Sequence, residues 1–270
     1  MQDTNLLGLA LGLTPPWSVT RAEFDAAARR LDVYIDFVPG SRFACPQCGA
    51  EGCPAHDTEA MAWRHLNFFQ HQAWLHARVP RIRCTRCGVK KITTLPWARK
   101  DSGFTLLFEA LIMALVTAMP VQAAARLVGE HDTRLWRVIH HYVEDARARA
   151  DASTVTRVAI DETAARRGHD YITLFVDIDK ARVVHVTEGK DAATVAAFAD
   201  DLIEHGGDPE AIDEVCIDMS PAVIKGVAES LSNAAVTFDK FHPVKIINDV
   251  VDEVRRAERK GQAILGPVVN

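Results

Sequence analysis

The sequence has no run of about 18 uncharged apolar residues, so no segment reads as a membrane span. Its first 16 residues are apolar but lack a basic lead and a small-residue cleavage site. That pattern is not a secretory signal and points to the cytoplasm. There is no internal repeat and no low-complexity stretch. Cysteine is scarce, with 6 in 270 residues, and in a cytosolic chain disulfides are its poorer use. Positive charge is not in excess either: 31 Lys and Arg face 36 Asp and Glu, for a net charge of −5. Averaged over the chain, that balance argues against a nucleic-acid partner. What is present is apolar material, 48% of all residues, in a chain long enough for two or three small domains.

The charge is unevenly placed. Residues 41–100 carry 10 basic and 3 acidic side chains, whereas residues 151–270 carry 13 and 22. A basic front and an acidic rear fit anion binding ahead of cation binding, such as DNA followed by a metal. Uneven solvated faces would give the same counts.

Two knuckles punctuate the basic segment. Cys45-Pro-Gln-Cys48 precedes Gly49, and Cys84-Thr-Arg-Cys87 precedes Gly88. A two-residue spacer lets both thiolates face one ion, and the glycine permits the turn beyond the second sulfur. The expectation is a structural Zn²⁺ held by Cys45, Cys48, Cys84 and Cys87. Cys53 and His56 form a second, less favoured donor pair. His65, His71 and His76 read as packing or surface residues. Arg78, Arg81, Arg83, Arg86, Lys90 and Lys91 surround the second knuckle and are expected to contact phosphates, although a solvated face is the plainer alternative.

Alternation over Leu31–Phe37 and over Trp74–Arg83 predicts strands. Thr93–Gly103, with Pro96 and Gly103, reads as a linker. Residues 104–149 predict three helices, with a turn at Met119-Pro120 and a tight turn at Gly129. Asp132 or Thr133 would cap the last of them. This is a helix-turn-helix layout, with Thr133, Arg134 and Arg137 set to contact DNA and Trp136, Ile139 and Val143 facing the core. A generic three-helix bundle has the same pattern.

From residue 155 the pattern becomes three strands (Arg157–Asp161, Tyr171–Asp177, Arg182–Glu188), then alternating helices and strands. The helices are expected at Ala192–His205, Ala222–Leu231 and from Pro243 to Lys260. The strands between them are expected at Glu214–Asp218 and Ala235–Asp239. That order predicts a mixed α/β sheet of ribonuclease-H type. Asp161 would end the first strand and Asp218 the fourth. On neighbouring strands they would offer the oxygen ligands that Mg²⁺ needs for phosphoryl transfer. Asp177 and Asp179 suit a hairpin turn. Asp239 and His242, at the end of the fifth strand, could line the cleft or serve structure. The organisation expected is therefore multidomain α+β: residues 1–40 an N-terminal segment, 41–100 a zinc-binding module, 101–150 a three-helix helix-turn-helix module, and 151–270 a partial ribonuclease-H-like core.

Phe43-Ala-Cys45-Pro-Gln-Cys48-Gly, Arg83-Cys-Thr-Arg-Cys87-Gly, Ala159-Ile-Asp-Glu-Thr, Gly168-His-Asp-Tyr, Val215-Cys-Ile-Asp-Met-Ser-Pro-Ala and Phe238-Asp-Lys-Phe-His-Pro-Val-Lys together resemble the ISL-three family of insertion-sequence transposases. The resemblance implies DDE chemistry: metal-dependent cleavage and strand transfer of double-stranded DNA at terminal inverted repeats, by a protein that can form a homo-oligomer. Asp161 matches the family's first acid and Asp218 its second. The third, a glutamate on a later helix, should lie well downstream, whereas this sequence ends 31 residues after Asp239. Glu253 and Glu258 come too early for that pattern. The expectation is a C-terminally truncated chain that binds DNA and, alone, performs no strand transfer.

Overall fold

A computed structural model describes residues 3–166 and 170–265, without the side chains of 3, 241–243, 245, 246 and 260–265. The chain forms two compact units, Met1–Asp145 and Ala146–Asn270.

In the first unit, α1 (Asp3–Ala10) precedes six strands: β1 (Trp17–Asp25), β2 (Arg30–Phe37), β3 (Arg42–Phe43), β4 (Cys53–Phe68), β5 (His71–Cys84) and β6 (Gly88–Lys91). They form one sheet in the order β1-β2-β5-β4-β3. β6 replaces β2 beside the second half of β5. Only the β2–β5 pairing is parallel; the others are antiparallel. The alternation seen in β2 does its expected work: Leu31, Val33 and Ile35 are buried, facing Leu75, Ala77 and Val79 of β5 in one core.

Three helices complete this unit: α2 (Leu106–Val116), α3 (Val121–Val128) and α4 (Asp132–Ala148), the last running into the second unit. Thr105 caps α2 by accepting from the Phe108 amide at 3.3 Å. Gly129 ends α3 with φ of 72°, a left-handed conformation that a side chain would strain. The helices share a core of Phe104, Phe108, Ile112, Ala124, Ala125, Val128, Leu135 and Val138. Two expectations are corrected here. The stripe of α4 that faces this core is Leu135, Val138 and Tyr142. Trp136 and Val143, expected inside, are 46% and 50% exposed, because α4 is rotated by one residue from the predicted face. The segment 93–103 is no free linker: Leu95, Trp97 and Ala98 are buried in the sheet's core, and the Trp97 ring meets Trp17 and Trp63 edge-on at 5.0 and 5.7 Å.

A buried ion pair fastens these helices to the sheet. Arg64 of β4 has no exposed side-chain surface, yet its Nε lies 3.8 Å from Glu130 in the turn before α4. Its guanidinium also donates to the Ala73 carbonyl at 3.2 Å and lies over the Phe108 ring at 4.8 Å.

The second unit holds β7 (Arg157–Ala164), β8 (Tyr171–Asp177), β9 (Arg182–Glu188), α5 (Ala192–Glu204), a 3-10 turn (Pro209–Ala211), β10 (Glu214–Ile217), α6 (Pro221–Ser230), β11 (Ala235–Phe238) and α7 (Phe241–Leu265). Its sheet runs β11-β10-β7-β8-β9. β7, β8 and β9 form an antiparallel meander, and β10 and β11 lie parallel to β7 on its other side. Val158, Ile160, Val215 and Ile217 are buried with Val195, Phe198 and Val223 of α5 and α6. Asp177 closes the β8–β9 turn as expected, its Oδ1 accepting the amides of Asp179 and Lys180, both at 3.1 Å.

Candidate metal centres and nucleic-acid interface

The β5–β6 hairpin turn is itself the second knuckle, with Cys84 paired to Gly88. The first knuckle closes through Gly49, whose amide donates to the Cys45 carbonyl at 2.9 Å. Gly49 and Gly88 both take positive φ, 69° and 73°. The two turns bring the sulfurs of Cys45, Cys48, Cys84 and Cys87 within 4.8 Å of one another. Cys48 and Cys84 Sγ are 3.7 Å apart, far beyond a disulfide bond. Zn–S bonds of about 2.3 Å in a tetrahedron put the sulfurs about 3.8 Å apart. The donor set therefore fits a structural zinc ion.

The electrostatics agree. Backbone amides of Cys87 and Arg86 hold the Cys84 thiol down to about 6. Cys87 is pushed up to about 12, first by Cys48, then by burial and Cys45. Four crowded sulfurs can all be thiolates only with a cation among them. Cys53 is buried beside this cluster, and its Sγ donates to the Ala50 carbonyl at 3.4 Å; burial pushes its thiol up. His56 is exposed, 3.0 Å from Arg83 Nη2.

The cations near the second knuckle divide by partner. Arg81 pairs with Asp57, and Lys91 with Glu59 at 3.0 Å. Arg83 meets His56, and Arg86 and Lys90 have no acidic partner among the described residues. Arg78, the sixth cation expected on phosphates, pairs instead with Asp36 at 2.5 Å.

On α4, Thr133 and Arg137 are exposed in the first turns. Arg134 is engaged internally: it pairs with Glu130, and its guanidinium stacks 4.1 Å from the Phe104 ring centroid. On α2, Glu109 is fully buried and holds three donors. They are Arg99 Nε at 2.9 Å, Ser102 Oγ at 2.5 Å and Tyr142 hydroxyl at 2.9 Å. Burial, then the hydrogen bond to Glu109, pushes the Tyr142 hydroxyl up to about 12.

In the second unit, β7 runs on to Ala164, so Asp161 lies inside that strand and not at its end as expected, because the antiparallel pairing with β8 continues to Tyr171. Glu214, Val215 and Cys216 pair with Arg157, Val158 and Ala159; carried two residues past the last pair, the same offset would bring Asp218 level with Asp161. Glu214 through Ile217 pair with Ala235 through Phe238, and the Asp239 amide donates to the Ile217 carbonyl at 2.9 Å. Asp239 thus follows on the same level. Val158 and Ile160 face the α5–α6 core, so strand alternation turns Asp161, inside β7, to the opposite face; Asp218 follows the last residue of β10. Neighbouring strands are about 4.8 Å apart, within the reach of two carboxylates on one ion. Asp161 Oδ1 accepts the Glu162 amide at 2.9 Å, and Asp218 Oδ1 the Ser220 amide at 2.8 Å. The side chain of His242 lies outside the described residues, as does the Gly168-His169 pair.

Sequence reasoning passed over Glu162. It alternates onto the core side, and its Oε1 is buried without a hydrogen-bond partner among the described residues. Burial, then the nearby Asp218 charge, pushes its carboxyl up, with Lys190 opposing. The signal was its place one residue beyond Asp161.

Three helices with a left-handed glycine turn before the last, behind a four-thiol module, have the layout of a protein that joins a zinc ribbon to a helix-turn-helix module. Comparison with known proteins narrows that class. Residues 41–87 match the zinc-finger of transposase IS204/IS1001/IS1096/IS1165. Residues 93–143 match the helix-turn-helix domain of transposase family ISL3, and residues 158–263 the ISL3 DDE transposase model. The chain belongs to the ISL3 family of transposases. The transposase of insertion sequence element IS1001 from Bordetella parapertussis is 29% identical over 265 residues, covering 94% of this chain and 62% of that protein. The transposase of IS1557 from Mycobacterium tuberculosis (strain ATCC 25618 / H37Rv) is 30% identical over 225 residues, covering 82% and 50%. The chain therefore spans only about half to three-fifths of these curated relatives. A chain from a simian T-cell lymphotropic virus intasome in complex with PP2A regulatory subunit B56 gamma aligns over 59% of this chain and 64% of its own at 14% identity; its TM-score of 0.26 is too low to assign a fold. Among the described residues, no helix is long and apolar enough to cross a membrane.

Proposed function

We propose that this chain acts in DNA transposition, binding double-stranded terminal inverted repeats and presenting Asp161 and Asp218 to a divalent cation. Residues 41–100 form a zinc module in which Cys45, Cys48, Cys84 and Cys87 hold the ion. Residues 101–150 read the duplex through Thr133 and Arg137, with Arg134 holding the start of the helix through Glu130 and Phe104, and Arg81, Arg83, Arg86, Lys90 and Lys91 on its phosphates. Residues 1–40 supply the first strands of the sheet. Residues 151–270 are a ribonuclease-H-like core, a reading supported by the β11-β10-β7-β8-β9 order and its parallel–antiparallel pattern. Joining two transposon ends needs two end-bound copies, so the working form is a homo-oligomer.

The observation that carries the reading is the parallel pairing of β10 with β7, Glu214 to Arg157 through Cys216 to Ala159, an offset that, carried on, would bring Asp218 level with Asp161. Mg²⁺ accepts one or two carboxylates and completes its shell with water and phosphate oxygens. When bound, such an ion activates the attacking oxygen and stabilises the leaving one. The protein's part is to fix both carboxylates, as the amides of Glu162 and Ser220 do here. Asp239 and His242 are auxiliary groups at the same sheet edge.

The test is local oxidative cleavage of the polypeptide by Fe²⁺ in place of Mg²⁺, with ascorbate and peroxide. Cuts are expected beside residues 161 and 218, competed by Mg²⁺ and absent in Asp161→Asn and Asp218→Asn. Gel shifts on inverted-repeat duplex give the second arm. Duplex binding with no localised cuts would leave a non-catalytic DNA-binding protein instead.

A further inference from the structure

One straight row crosses the first sheet: Arg21, Tyr34, His76 and Ala62, contributed in turn by β1, β2, β5 and β4. Three of the four side chains end in planar groups, and they stack. The Arg21 guanidinium lies 3.8 Å from the Tyr34 ring centroid. Tyr34 and His76 stack at 4.8 Å and 21°. Both rings are fixed at their rims: the Tyr34 hydroxyl donates to Glu23 at 3.2 Å, and His76 Nε2 lies 2.5 Å from Asp32 Oδ1. The stack then stops, because Ala62 is a small exposed residue, and in the adjoining row Arg78 stands opposite another exposed alanine, Ala60. The missing fourth plane leaves a cleft of about 410 Å³ lined by Arg21, Tyr34, Ala60, Ala62, His76 and Arg78. That is within the usual size of small-molecule sites, roughly 300–1,000 Å³.

We propose that this cleft takes an unpaired nucleobase of a single-stranded DNA segment, set above Ala62 as the next plane after Arg21, Tyr34 and His76. The inference rests on the reading of the chain as a DNA-handling protein. A base presents a flat face of either purine or pyrimidine type, which an aligned stack accepts without regard to sequence. Arg21 and Arg78 already pair with Glu23 and Asp36, so they add little net charge. Stacking rather than phosphate attraction would supply the affinity, with a shallow salt dependence. The position is suited to that task. Two residues along β4 from Ala62, Arg64 lies over Phe108 of the helical module, so the cleft adjoins the helices that read duplex.

The experiment uses the full zinc-loaded chain and a short oligothymidine strand carrying one 2-aminopurine, whose fluorescence is quenched on stacking. Wild type is expected to quench it. Ala62→Leu, at an exposed site, fills the slot and should weaken strand binding roughly 5- to 100-fold, and His76→Ala should do the same. Affinity for inverted-repeat duplex should stay at the wild-type value in both. Binding without quenching, or strand affinity unchanged in Ala62→Leu and His76→Ala, would overturn the proposal. Loss of duplex binding in the wild type, with the strand still quenched, would sink the transposition reading and leave this one standing.

Discussion

Arg64 and Glu130 form an ion pair that has almost no contact with water: the guanidinium side is wholly buried and the carboxylate nearly so, at 3.8 Å. Such a pair contributes little net stability when intact, because desolvation offsets attraction, but removing one partner strands a buried charge. Glu130→Ala should therefore destabilise the first unit by about 3–5 kcal/mol. Glu130→Gln, which keeps shape and an acceptor, should cost less. Urea unfolding followed by tryptophan fluorescence measures both, and equal losses for Ala and Gln would show that the charge is immaterial.

His65, the next residue, gives the same junction a pH dependence. Burial, then the Arg64 charge, holds its imidazole down to about 4, and its Nδ1 lies 2.9 Å from Thr105 Oγ1, the α2 cap. The folded state thus binds the proton less readily than the unfolded chain, whose histidine titrates near 6.5. Stability is full above about 6.5 and falls as pH drops toward 4, by roughly 2 kcal/mol after allowance for partial exposure. His65→Gln should flatten that part of the profile. An unchanged slope in the variant would assign it to other groups.

The second unit was more legible in sequence than the first, for a physical reason. Strands β8 and β9 have the residues expected of them, Tyr171–Asp177 and Arg182–Glu188, because each alternates and is bounded by turn residues. β4 went unread. It is 16 residues long, begins with Cys53-Pro54, and is exposed on both faces along much of its length, so it carries no period-two signal. β1 is similarly exposed beyond Trp17. The segment 93–103 looked like a linker because proline and glycine mark turns, yet its tryptophan is core. On α4, an apolar residue at nearly every third position allows two overlapping stripes, and only packing against α2 selects Leu135 and Val138. The parallel pairing of β10 with β7 could be expected only once strand order was assumed, since register is a property of pairing.

Zinc removal should unfold the knuckles rather than loosen them. Without the ion, four sulfurs gathered within 4.8 Å have no reason to stay together, and structural zinc contributes folding energy directly. One zinc per chain is expected by elemental mass spectrometry. Chelation should lower the first thermal transition by about 10 °C or more. Cys48→Ser should reduce zinc content, whereas Cys53→Ser, at the thiol bonded to Ala50, should keep it. Zinc lost equally from both would mean that five sulfurs share the site.

The two arginines at the start of α4 should behave oppositely. Arg137 is exposed and lies on the helix surface free of the Phe104 stack, whereas Arg134 is held between Glu130 and Phe104. Removing a phosphate or base contact weakens DNA binding without touching the fold; removing a stacked, paired arginine removes packing as well as charge. Arg137→Ala should thus weaken inverted-repeat binding by about 1–3 kcal/mol with an unchanged melting curve. Arg134→Ala should destabilise the helices by about 1–2 kcal/mol, with any loss of DNA affinity following from that. Arg134→Lys separates the two effects, since it keeps the charge but cannot stack as a plane. If Arg134→Lys melts like wild type and binds DNA more weakly, Arg134 reads DNA directly and its contacts with Glu130 and Phe104 give way on binding.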